Sequence, residues 1–171
     1  MQVHLKYGRD GLTVDVPDDA TVLRPKEVAG LPDEPMALRD ALRRPIGSPA
    51  LRERVRPSDT VVIVFSDITR PMPNDRVLPV LLAELEDAGV PREQITLLNG
   101  TGTHRVNTPA ELEEMLGADV VARYRVAQHN AFRPEDMVDI GEMPTGRRAR
   151  VNRIFQEASF RIVTGFIEPH I

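Results

Sequence analysis

The chain has 171 residues, with 22 basic and 26 acidic side chains, a net charge of -4 and neither cysteine nor tryptophan. This length accommodates one domain with a sizeable core, and the lack of cysteine excludes a disulfide scaffold, a thiolate metal site and a cysteine nucleophile. No apolar run approaches the roughly 20 residues of a membrane span, and no signal peptide is visible at the N-terminus. The composition predicts a cytoplasmic globular protein that binds neither membranes nor an extended stretch of nucleic acid.

The N-terminal third predicts a hairpin, a loop and two short helices. Apolar residues alternate from Val3 to Val16 around an Asp-Gly turn, which indicates a β-hairpin. Residues 17–35 are rich in proline and acidic residues and predict a loop. A short helix is expected from Pro35 to Leu42, and a second from Ser48 to Val55 with Ser48 as its N-cap.

The rest of the chain alternates strand and helix patterns. Continuous apolar runs predict buried strands at 60–65, 95–98 and 160–166, and weaker strands are expected at 125–129, 138–140 and 149–154. Helical spacing from Val77 to Ala88 and a capping box at Thr108 predict the intervening helices. The fold class is therefore α/β: a mainly parallel sheet flanked by helices, with an N-terminal β-hairpin, in one domain over residues 1–171.

Polar residues gather where three of these strands end. The segments are Ser66–Pro71, Asn99–Arg105 and Gly165–His170. Ligands of parallel α/β sheets bind beyond the carboxyl ends of the strands, so this edge is the candidate site.

The first segment holds Asp67 and Arg70, three residues apart. They can form a local ion pair or stabilise a turn. Alternatively, Arg70 presents its planar guanidinium to a carboxylate or phosphate, while Asp67 orients Arg70 or accepts a hydrogen bond from a substrate hydroxyl.

The second segment contains Gly100, Gly102 and His104. Arg105 stands where a dinucleotide-binding fingerprint needs its third glycine, so that motif is excluded, and no phosphate-binding P-loop occurs. The glycines still permit close approach of a ligand to the backbone. His104 is either a structural imidazole or a proton-transfer group.

Histidines are few, and His104 and His170 are the two that follow predicted strand ends. Glu168 can orient His170 if the backbone bends there. Two imidazoles on opposite faces of a small ligand suit a racemase or epimerase, because each face needs its own acid or base. His4 and His129 are expected to be surface or structural residues. The histidine spacing predicts no metal site.

Together the three polar segments resemble the successive motifs of the nickel-dependent lactate racemase family. The stretch Arg44–Ser48 also resembles that family's Asn-Pro-Ile-Gly-Ser segment. The order and spacing agree over nearly the whole chain, so the resemblance covers the N-terminal domain of a two-domain enzyme.

The resemblance implies an isomerase that interconverts the stereoisomers of small 2-hydroxy acids with a nickel-pincer cofactor, a pyridinium mononucleotide with sulfur ligands. By motif match, His104 and His170 are the catalytic acid/base pair. Arg70 and Asp67 bind the substrate, and Thr69, Gly102 and Thr103 contact the cofactor.

The chain departs from the family pattern at its end. The family's cofactor-anchoring lysine and nickel-ligating histidine follow the last motif, whereas this sequence stops at Ile171 and its two lysines are Lys6 and Lys26. The expectation is an N-terminal catalytic portion that lacks its C-terminal domain and is inactive alone. The alternative is a stand-alone α/β module that binds a small carboxylate or phosphate without catalysis.

Overall fold

The computed structural model describes residues 1–167, so Glu168 and the predicted acid/base residue His170 lie outside the described residues. The chain divides into two units, Met1–Pro32 and Asp33–Ile171. Among residues 1–167, no helix has the length and apolar composition needed to cross a membrane.

The elements, in chain order, are β1 (Gln2–Leu5), β2 (Leu12–Asp15), α1 (Glu34–Arg43), α2 (Leu51–Arg54), β3 (Val61–Ser66), α3 (Asn74–Asp87), β4 (Ile95–Gly100), α4 (Pro109–Leu116), α5 (Ala118–Arg123), β5 (Arg125–Gln128), β6 (Met137–Glu142), β7 (Arg148–Asn152), α6 (Arg153–Glu157) and β8 (Phe160–Val163).

The first unit contains the predicted hairpin. β1 and β2 pair antiparallel, with Gln2 opposite Asp15 and Leu5 opposite Leu12. The loop predicted over residues 17–35 is confirmed as far as residue 33, whereas Glu34 and Pro35 belong to helix α1.

A four-stranded parallel sheet forms the centre of the second unit, in the order β5-β4-β3-β8. A separate antiparallel pair, β6 and β7, follows β5 along the chain. The predicted α/β class is therefore confirmed, together with its parallel sheet, flanking helices and N-terminal hairpin.

The two faces of the sheet are covered unequally. Alternate residues such as Ile63, Phe65 and Leu97 face the main core, into which helix α3 packs four buried leucines. The opposite face carries a smaller cluster around Val62 and Leu98, packed against residues of α6. Continuous apolar strands are expected of a sheet with both faces covered, and β3 and β4 show that pattern.

Several predicted boundaries were wrong. The second helix is a single turn that begins at Leu51 with Ala50 as N-cap, and the Ser48 hydroxyl instead donates to the carbonyl of Pro49. Helix α3 begins at Asn74, which places Pro79 inside it. Helices α5 and α6 were not predicted, and α6 begins at Arg153, so the strand expected at 149–154 ends at Asn152. The last strand ends at Val163 and alternates between partly buried and exposed residues, because β8 lies at the edge of the sheet.

Candidate active site

Two equivalent turns follow the central strands. β3 and β4 are in register, with Ser66 opposite Gly100. In the first turn the Arg70 N–H donates to the Asp67 carbonyl at 3.1 Å. In the second turn the His104 N–H donates to the Thr101 carbonyl at 3.0 Å. Arg70 and His104 therefore occupy the same position in two adjacent turns.

Glycines shape the second turn. Gly102 has φ +58°, in the left-handed region that glycine adopts without strain. A Cβ on Gly102 would meet no atom within 4 Å, so its backbone is open to close approach by a ligand. At Gly100 a Cβ would lie 3.1 Å from Val64 Cγ1, a tight contact that favours glycine where the two strands end.

A short hydrogen bond joins the two turns. The Nδ1 atom of His104 lies 2.6 Å from Oδ2 of Asp67, and the Thr69 hydroxyl donates to Oδ1 of Asp67 at 2.8 Å. Asp67 is only 4% exposed, whereas the side chain of His104 is 47% exposed. A buried carboxylate thus holds an accessible imidazole.

The ionisation state of Asp67 fixes the role of each ring nitrogen. Burial alone would raise the pKa of Asp67, but the hydrogen bonds from His104 and Thr69 outweigh it and hold the pKa below its usual value. Asp67 is therefore ionised at neutral pH and can only accept, so Nδ1 of His104 carries the hydrogen that it donates. Nε2 of the neutral ring is then the basic nitrogen, available to a ligand.

Both turns line one cleft of about 270 Å³. Arg70 and Asp67 contribute from the first turn, and the second turn contributes Gly102, Thr103 and His104. The structure therefore brings together the predicted residues of the first two motifs. Thr69 lies beside them, with its hydroxyl bonded to Asp67.

Two buried residues that the sequence did not single out support these turns. The side-chain amide of Asn99 donates to the carbonyl of Ser66 at 3.2 Å, which ties the end of β4 to the end of β3. The Thr101 hydroxyl donates to the carbonyl of His129 at 2.6 Å, which ties the second turn to the end of β5. Both residues lie in the predicted polar segment, and a small polar residue at the end of a buried strand was the available signal.

Arg105, the residue after His104, links the second turn to helix α4. Its guanidinium forms a two-point contact with the carboxylate of Glu111, at 2.8 and 2.6 Å, on helix α4. The same carboxylate accepts from the Thr108 N–H, completing the predicted capping box. These contacts hold the pKa of Glu111 far below its usual range, with the Arg105 hydrogen bond as the largest cause.

Of the other described histidines, His129 is not part of the cleft lining and His4 belongs to the first unit. His4 lies on the hairpin, where its Nδ1 is 3.2 Å from the hydroxyl of Thr13. His129 has its ring 3.3 Å from the side-chain nitrogen of Asn152 and serves the second turn through its backbone. Whether His170 joins His104 stays a prediction.

The described residues do not fit the metal of the cofactor that the motif resemblance implies. Within residues 1–167, no group of three or more histidine, aspartate or glutamate side chains is placed to hold a metal ion. No lysine lines the cleft, and the carboxylate of Asp67 is already bonded to His104 and Thr69. The open backbone at Gly102 suits close approach of a ligand but supplies no metal donor.

Curated relatives of the chain are lactate racemases. The chain is 32% identical to the lactate racemase of Thermoanaerobacterium thermosaccharolyticum, over 98% of its own length and 40% of that protein. It is 36% identical to the lactate racemase of Lactiplantibacillus plantarum, over 80% of its own length and 32% of that protein. The chain thus spans about two fifths or less of these relatives.

Solved structures give the same relationship. The lactate racemase apoprotein from T. thermosaccharolyticum superposes with a TM-score of 0.81 at 32% identity, covering 99% of this chain and 40% of that one. A Thermotoga maritima protein, at 23% identity and a TM-score of 0.56, shares the fold over 76% of this chain and 32% of that one. The family model described as the lactate racemase N-terminal domain matches residues 7–171. The chain belongs to the lactate racemase N-terminal domain family.

Proposed function

We propose that this chain supplies the substrate-side part of a racemase or epimerase of small 2-hydroxy acids. The observation that carries the proposal is the 2.6 Å contact between Asp67 and His104, in the same cleft as Arg70. A proton-transfer group can serve the hydroxyl of a 2-hydroxy acid, and a guanidinium can bind its carboxylate, so the cleft offers one group for each of the substrate's two polar groups.

Arg70 binds the substrate carboxylate. The planar guanidinium can make two parallel hydrogen bonds to a carboxylate, which fixes the orientation of the acid as well as its position. Arg70 and His104 line the same cleft, so the proposal orients a carboxylate held by Arg70 with its α-hydroxyl toward His104.

His104 handles the proton of the substrate hydroxyl. Nε2 accepts this proton from the substrate hydroxyl and later returns it to the same oxygen. The ionised carboxylate of Asp67 stabilises the imidazolium that exists between these steps. Asp67 thereby acts through His104 as a positioning residue.

The proposal assigns the second acid or base to His170, which would serve the opposite face of the substrate. It also assigns contacts with the cofactor to Thr69, Gly102 and Thr103. The relatives are more than twice as long as this chain, and we propose that the 171 residues alone are inactive. A nickel-pincer cofactor, where bound, would supply the hydride transfer, and the described residues do not fit its metal.

The test is interconversion of 2-hydroxy acids by the complete gene product that carries this chain, prepared with the nickel-pincer cofactor. Each enantiomer of lactate, malate and larger 2-hydroxy acids is incubated separately, and both products are quantified by chiral chromatography. The proposal predicts isomerisation of at least one pair in both directions. Turnover of no pair by a cofactor-loaded preparation would contradict it.

Calorimetry of the 171-residue chain separates the proposal from the binding-module alternative. Lactate, malate and inorganic phosphate are titrated into the chain and into Arg70→Ala. Tight binding by the chain alone, together with no isomerisation by the complete product, would replace the racemase proposal by a binding function.

A further inference from the structure

We propose that Thr101 is a positioning residue for His104, and that its hydroxyl keeps the imidazole within hydrogen-bonding distance of Asp67. This inference rests on the proposed function for its catalytic meaning. Its structural content, the effect of one hydroxyl on the His104–Asp67 contact, is tested independently of activity.

Thr101 opens the turn that ends at His104. Its carbonyl accepts the His104 N–H at 3.0 Å, so any displacement of Thr101 moves the backbone of His104 with it. Thr101 is 3% exposed, and its hydroxyl donates to the carbonyl of His129 at 2.6 Å. This bond fixes the turn strongly. Because the site is buried, water could not take the place of the Thr101 hydroxyl if that hydroxyl were removed.

The acceptor of this bond is itself held firmly. The N–H of His129 donates to the carbonyl of Asn99 at 2.9 Å, so His129 is hydrogen-bonded to β4 through its own backbone. The side chain of Asn152 lies 3.3 Å from the His129 ring, and its Oδ1 accepts the Ile154 N–H at the start of α6. Thr101 thus links the turn to the end of β5, which further hydrogen bonds hold in place.

Register explains why this position matters. Asp67 and Thr101 are the first residues after two strand ends that lie opposite each other, Ser66 and Gly100. Both residues are buried, and both open a turn. Asp67 fixes the His104 ring directly, whereas Thr101 fixes the backbone from which that ring projects. A 2.6 Å contact between two turns requires that both be held.

The test compares Thr101→Val with Thr101→Ser. Valine has nearly the shape of threonine but no donor, so the His129 carbonyl loses the hydroxyl bond, whereas serine keeps the donor. The first readout is the Nδ1 proton of His104 in the ¹⁵N-labelled 171-residue chain, observed by NMR. We expect its exchange with water to be faster in Thr101→Val than in the wild type, and Thr101→Ser to match the wild type.

The second readout is the steady-state kinetics of the complete gene product. We expect Thr101→Val to lower kcat by about tenfold to a hundredfold with a much smaller change in KM, and Thr101→Ser to restore kcat. Urea denaturation of each variant shows whether it is folded. If Thr101→Val does not fold, Thr101→Ala makes the same comparison, because it removes the hydroxyl without a branched side chain.

Equal Nδ1 exchange in the folded valine (or alanine) and serine variants would overturn the inference, whatever the activity. If the complete wild-type product isomerises no hydroxy acid, the proposed function fails, while the exchange rates still decide the role of Thr101.

Discussion

Arg70 and His104 are the fourth residues of two equivalent turns, which follow adjacent parallel strands in register. The sheet itself therefore sets the spacing between the residue proposed to bind a carboxylate and the residue proposed to move a proton. Asp67, at the first position of one turn, reaches across to the imidazole at the end of the other.

Replacing Asp67 by asparagine removes the charge that orients His104. The amide is neutral and can donate as well as accept, so it no longer selects the ring form with hydrogen on Nδ1. We expect kcat of the complete gene product to fall by roughly a hundredfold or more, with a smaller change in KM, as measured by chiral chromatography. The exposed Asp119→Asn is the matched control, and comparable kcat values for the two variants would contradict the role of Asp67.

Replacing Arg70 tests carboxylate binding. Lysine keeps the charge but cannot make two parallel hydrogen bonds, so we expect Arg70→Lys to raise KM by about tenfold and Arg70→Ala to raise it further. Initial rates across a substrate series give both constants. The exposed Arg39→Lys controls for a change of surface charge, and an unchanged KM in Arg70→Ala would remove Arg70 from the substrate site.

The pH dependence of stability reports on the same pair. Because hydrogen bonds hold the pKa of Asp67 below its value in the unfolded chain, its ionised form stabilises the fold above about pH 4, and this contribution disappears as the pH falls through the lowered pKa. Urea denaturation at a series of pH values should therefore show that the wild type loses more unfolding free energy between about pH 6 and pH 3 than Asp67→Asn does. Parallel curves for the two proteins would show that the pKa of Asp67 is not lowered by folding.

The sequence predicted the central sheet because β3 and β4 are continuous apolar runs, which are typical of buried parallel strands. It placed Asp67, Arg70 and His104 at one edge for the same reason. It could not show that Asp67 bonds His104 across 37 residues, since this contact depends on the register of two strands. Thr101 was missed because its hydroxyl donates to the backbone carbonyl of His129, and a sequence does not show which of the many backbone carbonyls a hydroxyl will meet.

The errors at helix boundaries also have physical causes. Ser48 is a favourable N-cap residue, yet the turn begins three residues later, where Leu51 packs against the core. Proline is disfavoured inside a helix, but buried leucines on both sides of Pro79 extend α3 through it. Tertiary packing therefore outweighs local preference at both positions.

Pro79 offers a stability prediction. Its side chain is exposed, and its ring supplies no N–H to the helix. We expect Pro79→Ala to raise the free energy of unfolding by up to about 3 kcal/mol, reduced by the greater freedom of the unfolded chain. Urea denaturation of the 171-residue chain measures the difference. The exposed Pro71→Ala, outside any helix, is the control, and a less stable Pro79→Ala would contradict the placement of Pro79 inside α3.

The central claim is that His104 moves the proton of a 2-hydroxy acid. The most direct measurement is the turnover number of the complete, cofactor-loaded gene product carrying His104→Asn, with His4→Asn on the hairpin as the matched control. We predict a loss of about a hundredfold to ten-thousandfold for His104→Asn and wild-type turnover for His4→Asn. Equal turnover by the two variants would contradict the account.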